Sequence, residues 1–424
     1  MEQKKTLLVG MDLDYEFTQI CCCEDAQAQP VTVVFADAKA EKIPTAIGVE
    51  DATKRWMIGP EMEAMEADAR GEAVRDLLHK LVQEEPVKIL TAQFAPEEVM
   101  ERFLRRCLLQ VKEQMPGQLI ASLVIVLPDL SAKVRERLSA ALAKLGLYED
   151  RVTMISRGQS FGEFVLRRRK EVLGGVAALF DYRPEGMQYR QVRFQTRRRP
   201  VLVELVGGDL SDVLPCKEGF DYADAFAETA AKLFNKQMVL RVYATGSGFA
   251  DEELAGKALG RITRGRKVFL GDNLYVQGAC CYAQRLADCQ GRPEAMSREY
   301  LVMAEETSLY EVNMNLFYKG RTENIVVLEP GVNWFDVKKS FDFILDDTDQ
   351  LDLTLVHALT GEKTKESFFL DGLEKRPRKM TRIRVEFSCS AVDEVAVRVT
   401  DLGFGEWYPA SGRTWEFRMG GSAS

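Results

Sequence analysis

Thr6-Leu7-Leu8-Val9-Gly10-Met11-Asp12 is an apolar run that ends on a carboxylate, and Phe17–Cys23 and Val31–Phe35 follow it as two more strand-like segments. About 170 residues later the figure returns. Val176–Asp181 is again apolar and ends on an acid, Met187–Phe194 alternates, and Val201–Leu205 completes the set. A strand–Asp–turn–strand–strand unit used twice predicts a duplicated α/β layer, since each copy repeats the same period and the same stop. Helices are expected between the copies. Pro96–Met115 places Val99, Phe103, Cys107, Val111 and Met115 four apart, with Glu97 and Glu98 where the helix dipole favours acids. After the apolar strand Leu123–Leu127, a second helix runs from Ser131 through Val134, Leu138, Leu142 and Leu145 and stops at Gly146.

From about Tyr300 the period changes to two. Phe341/Phe343/Leu345, Leu351/Leu353/Leu355, Ile383/Val385/Phe387 and Val395/Val397/Val399 alternate strictly between turns bearing Asp, Gly and Pro. Such strands form an antiparallel sheet with one buried face. The joint, 299–306, is centred on the apolar Leu301-Val302-Met303, so a linker that docks is expected. The chain therefore reads as α/β followed by all-β: residues 1–298 (first lobe about 1–172, second about 173–298), a linker, and residues 307–424.

Composition bounds the function. With 46% hydrophobic and 29% charged residues among 424, the chain is long enough for two or three domains, and collagen-like and disordered classes are excluded. No run approaches the ~18 apolar residues of a membrane span, so no membrane insertion is expected. Nine Cys without a disulfide-framework spacing, three of them adjacent at Cys21–Cys23, predict reduced thiols and a cytoplasmic location. Cys280, Cys281 and Cys289 lack a CxxC pair and read as small buried hydrophobes, and no metal site is assigned. Only two His are present; His79 and His357 leave little room for histidine-based catalysis, and His357 reads as a core-edge residue. The net charge of −8 conceals a block from Arg157 to Pro200 with eleven basic and four acidic residues. That block is +7 beside a remainder of −15. It admits an anion or nucleic-acid adaptor, although aromatic residues are not interleaved and a solvated surface explains it as well.

The ordered series of motifs resembles the heat-shock protein 70 (DnaK-type) chaperones of the actin-like ATPase superfamily. Val9–Leu13 resembles the first phosphate strand of that family, and Ile43-Pro44-Thr45 with Trp56–Gly59 and Ala64 resembles its "IP[TS] … IG..A" segment. Val124–Pro128 followed by the helix at Ser131–Leu147, Val176–Asp181, Ala244–Ser247 and Asp272–Ala283 look like its later nucleotide-domain segments. Beyond the linker, Phe369–Leu373, Pro377, Ile383–Phe387 and Val395–Gly405 resemble its peptide-binding β-sandwich. The resemblance implies two actin-like (ribonuclease H-like) lobes, the second reduced, then a sandwich. Only 64 positions separate Asp181 from Thr245, so a helix near Tyr222–Asn235 nearly fills the interval that holds an extra nucleotide-covering subdomain in the family. No counterpart to the family's helical lid is expected in Met419–Ser424.

By the same resemblance, a nucleotide would be held by Asp12, Leu13, Asp181, Gly186, Gly246 and Ser247, with Asp12 and Asp181 as the catalytic pair of an active enzyme and ATP with Mg²⁺ as cofactor. The loops argue otherwise. Phosphate loops need small residues so that backbone N–H groups can approach the anion. Here the first reads Asp12-Leu13-Asp14-Tyr15-Glu16 and the second Asp181-Tyr182-Arg183-Pro184-Glu185-Gly186. A carboxylate ~4 Å from a phosphate is opposed by about 4 kcal/mol at an effective dielectric near 20, roughly a thousandfold in affinity. Arg157 stands where the family has its catalytic Glu, and an arginine is no general base. The catalytic Lys of the family would fall near Leu78, with Lys80 two positions on, and Phe249 replaces its adenosine-contacting arginine. The expectation is a chaperone-like protein with a degenerate ATPase domain and no resident cofactor, binding a protein or peptide at its sandwich. A divergent active ATP-dependent chaperone and an adaptor using Arg157–Arg199 stand as alternatives. The bland reading of Asp12 and Asp181 is that of strand-end turn residues.

Overall fold

The computed structural model of the chain describes residues 6–35, 40–148, 150–184, 186–215, 222–318 and 320–421. Glu185 of the second loop and both chain ends lie outside them. The chain divides into two compact units, Met1–Arg197 with Val203–Met296, and Arg198–Leu202 with Ser297–Ser424.

The first unit contains two sheets of the same plan. Its first half runs β1 (Thr6–Leu13), β2 (Phe17–Cys23), β3 (Val31–Thr32), α1 (Pro96–Gln114), β4 (Leu119–Leu127), α2 (Ala132–Ala143), β5 (Val152–Ser156) and α3 (Arg157–Arg167). Its second half runs β6 (Val176–Arg183), β7 (Gly186–Gln195), β8 (Val201–Asp209), α4 (Tyr222–Leu233), β9 (Val239–Thr245), α5 (Glu252–Gly260), β10 (Lys267–Leu270) and α6 (Leu274–Asp288). Each sheet has six strands, and five of them run β5-β4-β1-β2-β3 and β10-β9-β6-β7-β8, the same pattern shifted by five. In each, the first strand pairs in parallel on one side and antiparallel on the other: β1 with β4 and β2, β6 with β9 and β7. Central strands covered on both faces must be apolar throughout, and seven of the eight residues of β1 are buried. The segment between β3 and α1 adds a small three-stranded sheet (Ile47–Glu50, Trp56–Met57, Gly71–Val74) and a hairpin (Val87–Ile89, Ala92–Phe94).

Local signals explain the helix starts. α1 opens at Pro96 with Glu97 and Glu98 in its first turn and buries Val99, Phe103, Cys107 and Val111. The Ser131 hydroxyl accepts from Val134 N at the start of α2. α3 carries a full capping box, Ser156 with Gln159. The third helices, α3 and α6, pack together at contacts that only small residues allow. Ser160 Oγ donates to Tyr275 O at 2.7 Å, and a Cβ added at Gly278 would stand 2.1 Å from Ser160 O.

The second unit is a β-sandwich. After β11 (Tyr300–Met303) come β12 (Tyr310–Tyr318), β13 (Arg321–Leu328), β14 (Lys338–Leu345), β15 (Gln350–His357), β16 (Lys363–Phe369), β17 (Thr381–Ala391), β18 (Glu394–Gly403) and β19 (Thr414–Gly420). They form two four-stranded sheets, β13-β12-β15-β16 and β14-β17-β18-β19. Their inner faces share one core, with Val312, Leu353 and Leu355 from one sheet and Ile383, Val385, Phe387, Val397 and Val399 from the other. The strands with strict alternation are four of these eight. The expected linker is instead strand β11, whose Leu301 and Met303 pack with Leu202, Ala358 and Leu309. This is why 198–202 groups with the sandwich: Val201 N donates to Glu299 O at 2.9 Å, and Arg198 Nη1 to Leu359 O at 2.9 Å. Buried Arg376 makes a two-pronged contact with Asp401 (2.6 and 2.7 Å), and Asp401 also accepts from Gly403 N and Ser411 N, fixing the loop between β18 and β19. Those donors hold the Asp401 carboxyl well below the usual carboxylate range, the guanidinium of Arg376 foremost. Nδ1 of His357 accepts from Leu359 N and Thr360 N, a turn role.

Candidate functional site

The duplicated plan brings the ends of β1 and β6 together with the start of α3 and of α6. Asp12, the last acid of the first apolar run, lies in β1 opposite Gln19; Asp181 lies at the matching place in β6, opposite Gln188. The β1–β2 turn is tight, closed by Asp14 N donating to Phe17 O at 3.1 Å, and it aims Asp14 toward the second half.

At that meeting point two arginines bridge two aspartates. Arg157 Nη2 reaches Asp14 Oδ1 at 2.6 Å and its Nη1 lies 3.8 Å from Asp181 Oδ2. Arg183 Nε donates to Asp181 Oδ1 at 2.8 Å, and its Nη1 pairs with Asp14 Oδ2. Tyr275, on α6, donates its hydroxyl to Asp181 Oδ2 at 2.8 Å and lies beneath the Arg157 guanidinium. The four charged side chains are between 1% and 13% exposed, so the group is a buried, closed ring of alternating charge. Such a ring is stable only when complete, because removing one member leaves a desolvated charge unpaired.

Asp12 stands beside this ring. It is buried, and its Oδ1 has no hydrogen-bond partner. Burial pushes its carboxyl above the ordinary value of 3.8, against the pull of Arg157 and Arg183 and with the push of Asp181. The two carboxylates and two guanidiniums of the ring already balance, so an ionised Asp12 would add an uncompensated negative charge beside it. Burial also pushes the Tyr275 hydroxyl upward, so it remains a donor.

The space left is small. A cavity of about 20 Å³ is lined by Asp12, Asp14, Lys42, Arg183, Gly246 and Ser247, among others. That is the volume of about one water, whereas small-molecule sites run to ~300–1,000 Å³. Its rim is tied by Ser247 Oγ to Glu16 Oε2 at 3.1 Å and by Lys42 Nζ to Asp272 Oδ2 at 3.1 Å.

The residues expected at a nucleotide therefore separate. Asp12, Asp181, Gly246 and Ser247 gather at this point. Leu13 is fully buried within the sheet, paired with Thr18. Gly186, at φ 136°, begins β7, and a Cβ there would meet Ser211. Gly246 is at φ 102°, and a Cβ there would lie 2.2 Å from Tyr182 O, so this turn needs glycine for a close backbone approach. Phe249 packs edge-on against Tyr182 at 5.6 Å. Leu78 is buried in a helix, and Lys80 faces Glu85 at 3.6 Å. Among the described residues no group of three or more His, Cys, Asp or Glu is placed to hold a metal ion. Sequence reasoning flagged Arg157 and Arg183 as defects and did not see that they answer Asp14 and Asp181; it missed Tyr275 altogether. The usable signal was reciprocity, with Asp14 in the first loop and an arginine at each of two positions that face it.

Four arginines of the basic block have partners within the chain. Arg157 and Arg183 enter the ring, Arg168 lies over the Phe164 ring and donates to Gln277 at 2.9 Å, and Arg198 bonds a carbonyl in the second unit. One expectation about cysteine is overturned: Cys21 and Cys280 are paired as a disulfide, while Cys22, Cys23, Cys107, Cys281, Cys289 and Cys389 are free. The pairing joins positions 259 apart and leaves no spacing pattern in the sequence. No helix among the described residues is long and apolar enough to cross a membrane.

No curated protein matches the chain. Residues 308–420, nearly the whole sandwich, match a domain of unknown function (DUF8552). Residues 29–303 match the family of unknown function (DUF5716) C-terminal, and by this match over more than half its length the chain belongs to that family.

Proposed function

We propose that this chain is a chaperone-like protein of the actin-like plan whose ATPase site is sealed by its own side chains, and that it works as a peptide- or protein-binding scaffold through its sandwich. The twin sheet orders support the actin-like reading, with an acid at the matching place in each first strand. The observation that carries the proposal is the Asp14–Arg157–Asp181–Arg183 ring. It puts two guanidiniums between the loops where a phosphate would need open N–H groups and space, and it pairs their charge with two carboxylates of the same chain.

The sandwich supports a binding role at one end. Leu345 pairs with Thr381 and Arg382 with Gly403, so the end of β14, the start of β17 and the end of β18 lie together. Beyond the Met314–Leu353 pair, β12 runs toward Gln350, which itself pairs with Phe369. At this loop end Phe317 is 70%, Ile344 54%, Phe369 57% and Trp407 90% exposed. Large apolar side chains left in water near one end mark interaction surfaces, with Trp the residue most often dominant in them.

Binding of a fluorescent library of extended peptides to the full chain, followed by anisotropy with and without ATP and Mg²⁺, tests the reading. Binding that is unchanged by ATP is expected. Affinity that falls when ATP is added would favour the active chaperone instead.

A further inference from the structure

Five of the nine cysteines meet where β2 lies against α6: Cys21, Cys22 and Cys23 on the strand, Cys280 and Cys281 on the helix. Cys21 sits opposite Gly10 in the β1–β2 ladder. A Cβ on Gly10 would stand 2.7 Å from Cys280 N and 2.8 Å from Val276 O, so only a glycine lets α6 settle this close to the sheet. The approach brings the Cα atoms of Cys21 and Cys280 to 6.8 Å, within the reach of a disulfide. With Val276 the two form a small core of their own, fully buried. β2 belongs to the first half of the unit and α6 ends the second, so this bond crosses between the duplicated halves.

We propose that Cys21–Cys280 is a redox latch holding the two halves of the first unit together. Bonded, α6 cannot lift from β1 and β2. Reduced, it is held there by packing alone. The latch closes by thiol–disulfide exchange with a low-molecular-weight disulfide. One protein thiolate attacks that disulfide, releasing one thiol, and the second protein thiolate then displaces the other. Two protein thiols are oxidised to one S–S bond, the oxidant is reduced to two thiols, and the two protons pass to those leaving groups. With both sulfurs buried, exchange requires α6 to move off the sheet first, so the redox state records whether α6 has left the first-half sheet.

The test uses the full chain equilibrated with oxidised glutathione, denatured and alkylated, beside a sample given reductant. Seven alkylated cysteines before reduction and nine after, with the bond mapped to Cys21 and Cys280, are expected. Nine in both samples, or a bond between other cysteines, would overturn the assignment. Hydrogen exchange on the native protein then reads the latch itself. Amides of α6 and β2 are expected to exchange at least about tenfold faster after reduction, given the length of chain the bond closes. Equal exchange in both states would overturn the latch even with the bond present. A Cys280→Ala chain that folds is expected to exchange as the reduced protein does in either buffer; should it fail to fold, the comparison of reduced and oxidised wild type decides alone.

Discussion

Asp181→Asn removes one charge from the ring and leaves its shape almost unchanged. The carboxylate it replaces is 1% exposed, accepts from Arg183 Nε and the Tyr275 hydroxyl at 2.8 Å each, and lies 3.8 Å from Arg157. After the change, two guanidiniums share Asp14 alone. Breaking a buried pair by removing one partner typically costs ~3–5 kcal/mol. Arg157 and Arg183 retain 11% and 13% exposure, so water can solvate them in part and the lower end, about 3 kcal/mol, applies. For a unit of this size that is a fall of about 5 °C in midpoint. Differential scanning fluorimetry reads it directly. The sharper assay is a cycle with Arg183→Met: because the second change removes the stranded charge, the double variant is expected to be more stable than the sum of the singles predicts. Additive losses, or an Asp181→Asn protein with an unchanged midpoint, would refute the ring as a coupled, buried unit.

Asp12 gives the opposite sign. Its folded-state carboxyl sits above 3.8, so the folded chain keeps a proton that the unfolded chain releases, and stability falls as pH rises from about 4 through the folded value. Asp12→Asn is expected to raise the midpoint near pH 8 more than below about pH 4, where both forms of Asp12 are protonated; an equal effect at both would contradict the burial argument. In the sandwich, Asp401→Ala strands a buried Arg376 and frees Gly403 and Ser411, with an expected loss of about 3 kcal/mol by urea denaturation. Because the Asp401 carboxyl is held low, its contribution is present above the ordinary carboxylate range and is lost only as pH falls through its folded value. Trp407→Ala, at a 90% exposed side chain, is expected to leave the midpoint unchanged and weaken peptide binding at least tenfold, about 1.4 kcal/mol; undiminished binding would remove Trp407 from the surface.

Much of the fold was legible because burial on both faces leaves a strong mark. β1 and β6 announce themselves as apolar runs closed by Asp12 and Asp181, and α1 by its four-residue spacing after Pro96. The strands of the sandwich that went unseen include three at sheet edges: Arg321–Leu328, Lys363–Phe369 and Thr414–Gly420. An edge strand can expose most of its side chains, and Lys363, Thr364 and Lys365 leave that strand without the alternation that a central strand such as Ile383–Phe387 keeps; Thr414–Gly420 does alternate, at Trp415, Phe417 and Met419, over a stretch too short to stand out. Half of the candidate site was visible in the same way. Asp12 and Asp181 could be placed by strand ends, and their loops were recognisably unsuited to phosphate. That Arg157 and Arg183 would complete a ring with Asp14 depends on how two distant loops face each other, and no local pattern carries that. The Cys21–Cys280 pairing is the extreme case, because it depends on Gly10 admitting a helix from the other end of the unit.

The central claim is that the chain's own guanidiniums occupy the position a nucleotide phosphate would need. Isothermal titration of the full chain with ATP and Mg²⁺, run beside a phosphate-release assay, tests it most directly. No heat of binding and no released phosphate are predicted. Micromolar affinity with measurable phosphate release, abolished by Asp12→Asn, would contradict it.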